Sequence, residues 1–143
     1  MHVTLRFFGP TDDAQVDVLR ELVTSLADGA APLTLRAAAV TGFPDAARAH
    51  VLVIELEAVP LLTAFAERAG AAAVALGFAP ETRAYRPHIT LARMKERADV
   101  RAHAAEAASL PVGYATSIAL YASTASGGGP VYTSLARATL PMP

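Results

Sequence analysis

The sequence predicts an α+β fold of mostly antiparallel sheet, with helices packed outside, arranged as two lobes related by a pseudo-twofold axis. Three observations carry this reading. Strand-like segments come in adjacent pairs as well as alternating with helices, in the order β-α-β-β-α-β-α-β-β, which favours α+β over a doubly wound parallel sheet. One phrase occurs twice, 86 residues apart: His2-Val3-Thr4-Leu5 and His88-Ile89-Thr90-Leu91. No linker divides the 143 residues, so one bilobal domain over 1–143 is expected.

The elements follow from local patterns. Residues 2–8 alternate as a strand and stop at Gly9-Pro10. Asp12 and Gln15 form a capping-box signature for a helix over 13–27, with Val16, Leu19, Leu22, Val23 and Leu26 along one face. Residues 33–40 read as a strand, Gly42-Phe43-Pro44-Asp45 as a turn, and His50–Glu57 as a strong strand. Pro60 suits the first turn of a helix that runs to Leu76, with Gly77 closing it. A loop punctuated by prolines leads to the strand that carries the second phrase. Residues 97–109 read as a short Ala-rich helix, and Val112–Tyr121 and Val131–Ala138 as two strands joined across Ser126-Gly127-Gly128-Gly129-Pro130.

Composition excludes several function classes. Hydrophobic residues make up 53%, with a mean hydropathy of +0.35, yet no apolar run is long enough to span a bilayer. The first residues follow a strand pattern rather than a charged-then-apolar leader. Zero cysteines remove disulfides, zinc–thiolate sites and thiol nucleophiles together, and a cytoplasmic protein is expected. A formal net charge of −1 argues against gripping long nucleic acid through many phosphates. An RNA end or a small fragment suits that balance better.

The repeated phrase carries the chemistry. On an extended strand His and Thr two apart share a face, while Val3, Leu5, Ile89 and Leu91 point the other way. Each phrase therefore presents an imidazole and a hydroxyl side by side. With four histidines in the chain, two of them opening His-x-Thr-Leu would arise in roughly one shuffled chain in two thousand. Imidazoles titrate near neutrality, so one can act as acid while its partner acts as base. In-line attack on phosphorus needs a base on the entering water and an acid on the departing oxygen, on opposite sides of the phosphate.

The chain resembles the 2H phosphoesterase superfamily, and within it the LigT-like RNA 2′,3′-cyclic phosphodiesterases, also called 2′-5′ RNA ligases. The stretches that carry the likeness are His2–Gly9, Tyr85-Arg86-Pro87-His88-Ile89-Thr90-Leu91-Ala92-Arg93, Leu120-Tyr121, Gly128-Gly129-Pro130-Val131-Tyr132 and Leu135-Ala136-Arg137. The resemblance implies His2 as proton donor to the leaving ribose oxygen and His88 as proton acceptor from water. It implies a 2′-phosphomonoester product, reverse 2′-5′ joining without a nucleotide, and no cofactor or metal. Family members carry a strand and a helix before the first His-x-Thr, whereas this sequence starts at the motif, so an N-terminal strand and helix are expected to be missing.

Around this pair the candidates are graded by geometry. Thr4 and Thr90 would donate hydroxyl hydrogen bonds to non-bridging phosphate oxygens; each is otherwise an ordinary β-propensity Thr. Arg6 falls on the His2/Thr4 face by alternation. Arg93 falls on the face opposite His88 and Thr90, so a bulge or strand end must redirect it. Arg86, just before Pro87, is equally a solvated loop charge. Phe8 shares the first active face and can stack a base, as can Tyr85 and Tyr132, with sheet packing the commoner role for all three. The remaining features are bland: His50 opens a strand, His103 and Glu106 lack further ligands, and Gly127–Gly129 reads as a hairpin loop rather than a phosphate cradle. Partners are thus RNA ends or small cyclic nucleotides, taken by a monomer away from membranes. The alternatives are a phosphodiesterase for another small cyclic nucleotide and a non-catalytic module that binds RNA ends or nucleotides.

Overall fold

A computed structural model describes residues 1–103, 110, 112–126 and 129–143. Their elements run α1 (Asp13–Ala27), β1 (Leu33–Leu35), β2 (Ala37–Phe43), β3 (Ala49–Leu56), α2 (Pro60–Ala75), β4 (His88–Ala98), β5 (Gly113–Ala115), β6 (Ser117–Ser126) and β7 (Gly129–Thr139). The class is α+β with antiparallel sheet, as the sequence predicts. The chain's contacts gather into two compact units.

The first unit comprises Met1–Phe7, Thr34–Ala66 and Glu81–Gly113. Its centre is a three-stranded antiparallel sheet in the order β2-β3-β4. The core of this unit includes Val40, Ala49, Val53, Leu56, Leu62, Phe65 and Val100. Gly42, on β2, lies where the chain has no space for a side chain: a Cβ there would collide with that of Ala49 and stand 2.8 Å from Val100 Cγ2.

The second unit comprises Phe8–Leu33, Glu67–Pro80 and Tyr114–Pro143. Here α1 packs on the β6–β7 hairpin through Leu19, Val23 and Leu26, which recur at the spacing of one helical face. The predicted capping box is present: the Asp12 carboxylate accepts from the Gln15 amide at 2.8 Å, and the Asp12 amide donates back to Gln15 Oε1 at 3.0 Å. Gln15 Nε2 also donates to the carbonyl of Leu76, 3.0 Å away. That bond fixes the end of α2, where Gly77 takes a φ of 88° that suits glycine and stops the helix.

Several predicted elements differ. The strand over 2–8 reduces to one antiparallel bridge, Val3 to Ile89, because only Val3 finds a partner backbone. The strand over 33–40 is broken at Arg36 into β1 and β2, whose amide and carbonyl groups serve different partners; β1 pairs with β5. Gly42 and Phe43, read as turn residues, complete β2 instead, since Val51 and Leu52 supply ladder partners for both. Residues 97 and 98, read as helix, extend β4, and Arg101–His103 form one tight helical turn; residues 104–109 of that predicted helix lie outside the described residues. The strand from Val112 is likewise split into β5 and β6. Gly127 and Gly128 of the predicted hairpin loop also lie outside them, although β6 and β7 pair down to Ser126 and Gly129.

Candidate active site

Both His-x-Thr-Leu phrases lie in the first unit. The Val3–Ile89 bridge is antiparallel, so the residues flanking it lie in crosswise register without extending the ladder. His2 stands opposite Thr90, and Thr4 opposite His88. Strand alternation about the bridge assigns all four side chains to the face opposite Val3 and Ile89; His2 and Thr4 are exposed, and His88 and Thr90 half-buried. Directly opposed residues are about 4.5–5.5 Å apart at Cβ and diagonal ones about 7–8 Å. On regular antiparallel strands this register puts the two imidazoles on one diagonal of a square and the two hydroxyls on the other. A phosphate hydrogen-bonded at both ends spans such a diagonal.

His88 is oriented by its surroundings. Its Nδ1 lies 2.8 Å from the backbone carbonyl of Arg86. A carbonyl only accepts, so Nδ1 carries the hydrogen and Nε2 of the neutral ring is left with a lone pair. The Phe43 ring meets the imidazole edge-on, with centroids 5.0 Å apart and planes at 76°. The carbonyl that fixes the ring is itself held: Pro87 restricts the residue before it to extended backbone, and the Pro87 carbonyl accepts from the Leu56 amide at 2.9 Å.

Arg93 reaches the same face through an irregularity. Thr90 pairs with Val53 and Ala92 with Leu52, leaving Leu91 as an extra residue on β4. This bulge inverts the alternation, so Arg93, opposite Val51, joins His88 and Thr90. Arg93 is exposed.

The other candidates are placed as follows. Arg6 has a side chain only 7% accessible and pairs with Glu81. Arg86 gives Glu55 Oε1 two hydrogen bonds, from Nε at 3.0 Å and Nη2 at 2.7 Å, and lays its guanidinium 4.6 Å from the Phe43 centroid. Phe8 belongs to the second unit, where its ring packs edge-on against Phe78 at 5.7 Å. Tyr132 packs against Tyr121 in that unit, at 6.4 Å between centroids. His50 accepts from Arg97 Nε at 3.0 Å.

Tyr85 is half-buried, and its hydroxyl oxygen is enclosed without a hydrogen-bond partner among the described residues. Burial pushes the phenol up to about 12. Folding therefore keeps a proton that the unfolded chain loses above about 10, and stability falls as pH rises between those values. Tyr85→Phe is expected to abolish that alkaline decline and to leave stability at neutral pH unchanged or higher, because no bond is lost. Urea unfolding at pH 7 and at pH 11 checks this; a variant as alkali-sensitive as the parent contradicts it.

Sequence reasoning missed Phe43 and Glu55. Glu55 is cross-strand neighbour to His88. Its signal was available: a carboxylate inside the apolar run Val51-Leu52-Val53-Ile54-Glu55-Leu56. Among the described residues no cluster of three or more His, Asp or Glu side chains is arranged to hold a metal, and no helix is long and apolar enough to cross a membrane.

The sequence model of the 2′-5′ RNA ligase superfamily matches residues 1–121. The RNA 2′,3′-cyclic phosphodiesterase of Bacillus subtilis (strain 168) is 32% identical over 92 residues, 64% of this chain; the match spans half the length of that relative. Among solved structures, TT0787 of Thermus thermophilus superposes with a TM-score of 0.76 at 27% identity, covering 97% of this chain and 77% of that one. E. coli LigT complexed with 3′-AMP superposes with a TM-score of 0.68 at 26% identity, over 97% and 76%. A chain with this fold, this crosswise pair of phrases and a family match over residues 1–121 belongs to the 2′-5′ RNA ligase superfamily, among the LigT-like 2H phosphoesterases.

Proposed function

We propose that this chain hydrolyses 2′,3′-cyclic phosphate ends of RNA to 2′-phosphomonoesters without a metal. The observation that supports the reading is the antiparallel bridge of Val3 to Ile89, the central residues of the two His-x-Thr phrases. Water attacks phosphorus while His88 Nε2 takes its proton. The bond from phosphorus to the ribose 3′ oxygen breaks, and His2 gives that oxygen a proton. One proton is taken and one is given, so the pair ends each turnover with its roles exchanged and resets through solvent. The hydroxyls of Thr4 and Thr90 donate to the non-bridging oxygens, where negative charge gathers in the transition state. Arg93, exposed on the same face, is the cation we assign to the phosphate, while Arg6 is committed to Glu81. With an RNA 5′-hydroxyl in place of water, the same steps join it to the cyclic-phosphate end through a 2′-5′ bond: His88 takes the hydroxyl proton, and the 3′ oxygen leaves with a proton from His2.

The family match and the name of the Bacillus relative support the substrate class. The test is turnover of a short RNA ending in a 2′,3′-cyclic phosphate, in EDTA, with 2′- and 3′-phosphate products resolved. The expected product is the 2′-phosphate. A 3′-phosphate product, or turnover that needs an added metal, overturns the mechanism. Hydrolysis confined to cyclic mononucleotides keeps the chemistry and replaces the RNA end as substrate. Nucleotide binding by a folded sample that turns over none of these substrates leaves a binding module.

A further inference from the structure

We propose that Glu55 is a positioning residue for His88, acting through Arg86 and Phe43. The assignment rests on the proposed role of His88 as base, which it extends by naming what holds the ring in register. Four contacts form a closed circuit within the first unit. Glu55 Oε1 accepts from both Nε and Nη2 of Arg86, at 3.0 and 2.7 Å. The Arg86 guanidinium lies over the Phe43 ring at 4.6 Å. Phe43 stands edge-on to His88 at 5.0 Å. The backbone carbonyl of Arg86 receives the His88 Nδ1 hydrogen at 2.8 Å.

Arg86 is thus gripped at its side chain and used at its backbone. Its guanidinium, fixed between a carboxylate and an aromatic face, stops the residue from turning about the extended backbone ahead of Pro87. The carbonyl then stays aimed at Nδ1, and Nε2 keeps the lone pair. Glu55 itself is fixed by its place on β3, directly across the ladder from His88. Neither Glu55 nor Phe43 needs to touch substrate. Arg86 has its Nε and one terminal nitrogen engaged, which favours anchoring over phosphate capture.

The test reads the imidazole directly and then the kinetics. Two-dimensional ¹⁵N NMR at a pH where His88 is neutral should find the Nδ1–H tautomer dominant in the parent protein. Glu55→Ala should give a mixture of tautomers and lower kcat about tenfold, short of the roughly 10²-fold cost of a full 1 Å misplacement, with KM within twofold. Glu55→Gln keeps the acceptor oxygen for Arg86 and should restore most of kcat, which a purely electrostatic role for Glu55 does not allow. An unchanged tautomer and unchanged kcat in Glu55→Ala overturn the proposal, as does a rise in KM with kcat intact, which would make Arg86 a substrate contact. Should Glu55→Ala fail to fold, Arg86→Lys, which cannot make the two-point bond, takes its place with the same criteria. A tautomer shift in a protein that turns over no cyclic phosphate upholds the positioning role and removes the phosphodiesterase reading instead.

Discussion

His88→Ala is expected to lower kcat on a 2′,3′-cyclic RNA end by about 10²–10⁴-fold, the range for loss of a positioned acid or base. The variant removes the Nε2 lone pair that the Arg86 carbonyl orients, and Thr90 cannot replace it. His2→Ala should cost a similar factor, because the leaving oxygen then departs without a proton. The double variant should be little worse than either single one. Both imidazoles serve one transition state, and residues that act as a unit lose their effect together. KM should change little in all three, because the proposed phosphate contacts of Thr4, Thr90 and Arg93 are left in place. Steady-state kinetics on the three variants decides the matter. Retention of activity within threefold in either single variant would contradict a two-histidine mechanism, and strictly multiplicative losses would indicate two independent steps.

Gly42→Ala is expected to destabilise the protein by about 1–3 kcal/mol, the usual cost of forcing a methyl into filled space. The new methyl would collide with Ala49 Cβ and lie 2.8 Å from Val100 Cγ2 and 3.2 Å from the Asp45 carbonyl oxygen. Val100 can turn its side chain aside. Ala49 cannot, because its Cβ is bonded directly to the β3 backbone and the residue is fully buried. Relief therefore requires β2 and β3 to move apart. At this chain length the loss corresponds to a fall in melting temperature of about 2–4 °C per kcal/mol. Because Phe43 is the next residue along β2 and touches both His88 and Arg86, kcat should fall as well. Thermal and urea unfolding check the first effect; an unchanged midpoint would mean that the strands separate without cost.

What the sequence revealed followed the kind of interaction involved. The ends of α1 are encoded within one turn, by Asp12 and Gln15, and local reading found them. The core strand β3 declares itself through Val51, Leu52, Val53, Ile54 and Leu56. The break at Arg36 has no such signature: it depends on which backbone lies alongside, which only the tertiary fold decides. Phe43 was hidden because Gly42, Pro44 and Asp45 are turn formers; the strand partners Val51 and Leu52 override them. In the site, the histidines and threonines are legible because their spacing repeats. Glu55 and Phe43 are not, since their value lies in contacts with Arg86 and His88 across strands. Arg93 is intermediate. Strict alternation puts it on the wrong face, and that mismatch alone called for the bulge that Leu91 provides.

The crosswise bridge also makes the site a matter of counting. One backbone pairing, Val3 with Ile89, decides which side chains meet. If the N-terminal segment slid by one residue along β4, His2 and Thr4 would turn away from the face altogether. A slide of two would restore the face but set imidazole against imidazole or hydroxyl against hydroxyl, according to its direction, and leave the other two groups unmatched. A shift of that register is thus a harsher change than most substitutions within it. Within such a motif, a shift of register rather than a point change separates a working pair of histidines from two histidines that merely lie on neighbouring segments.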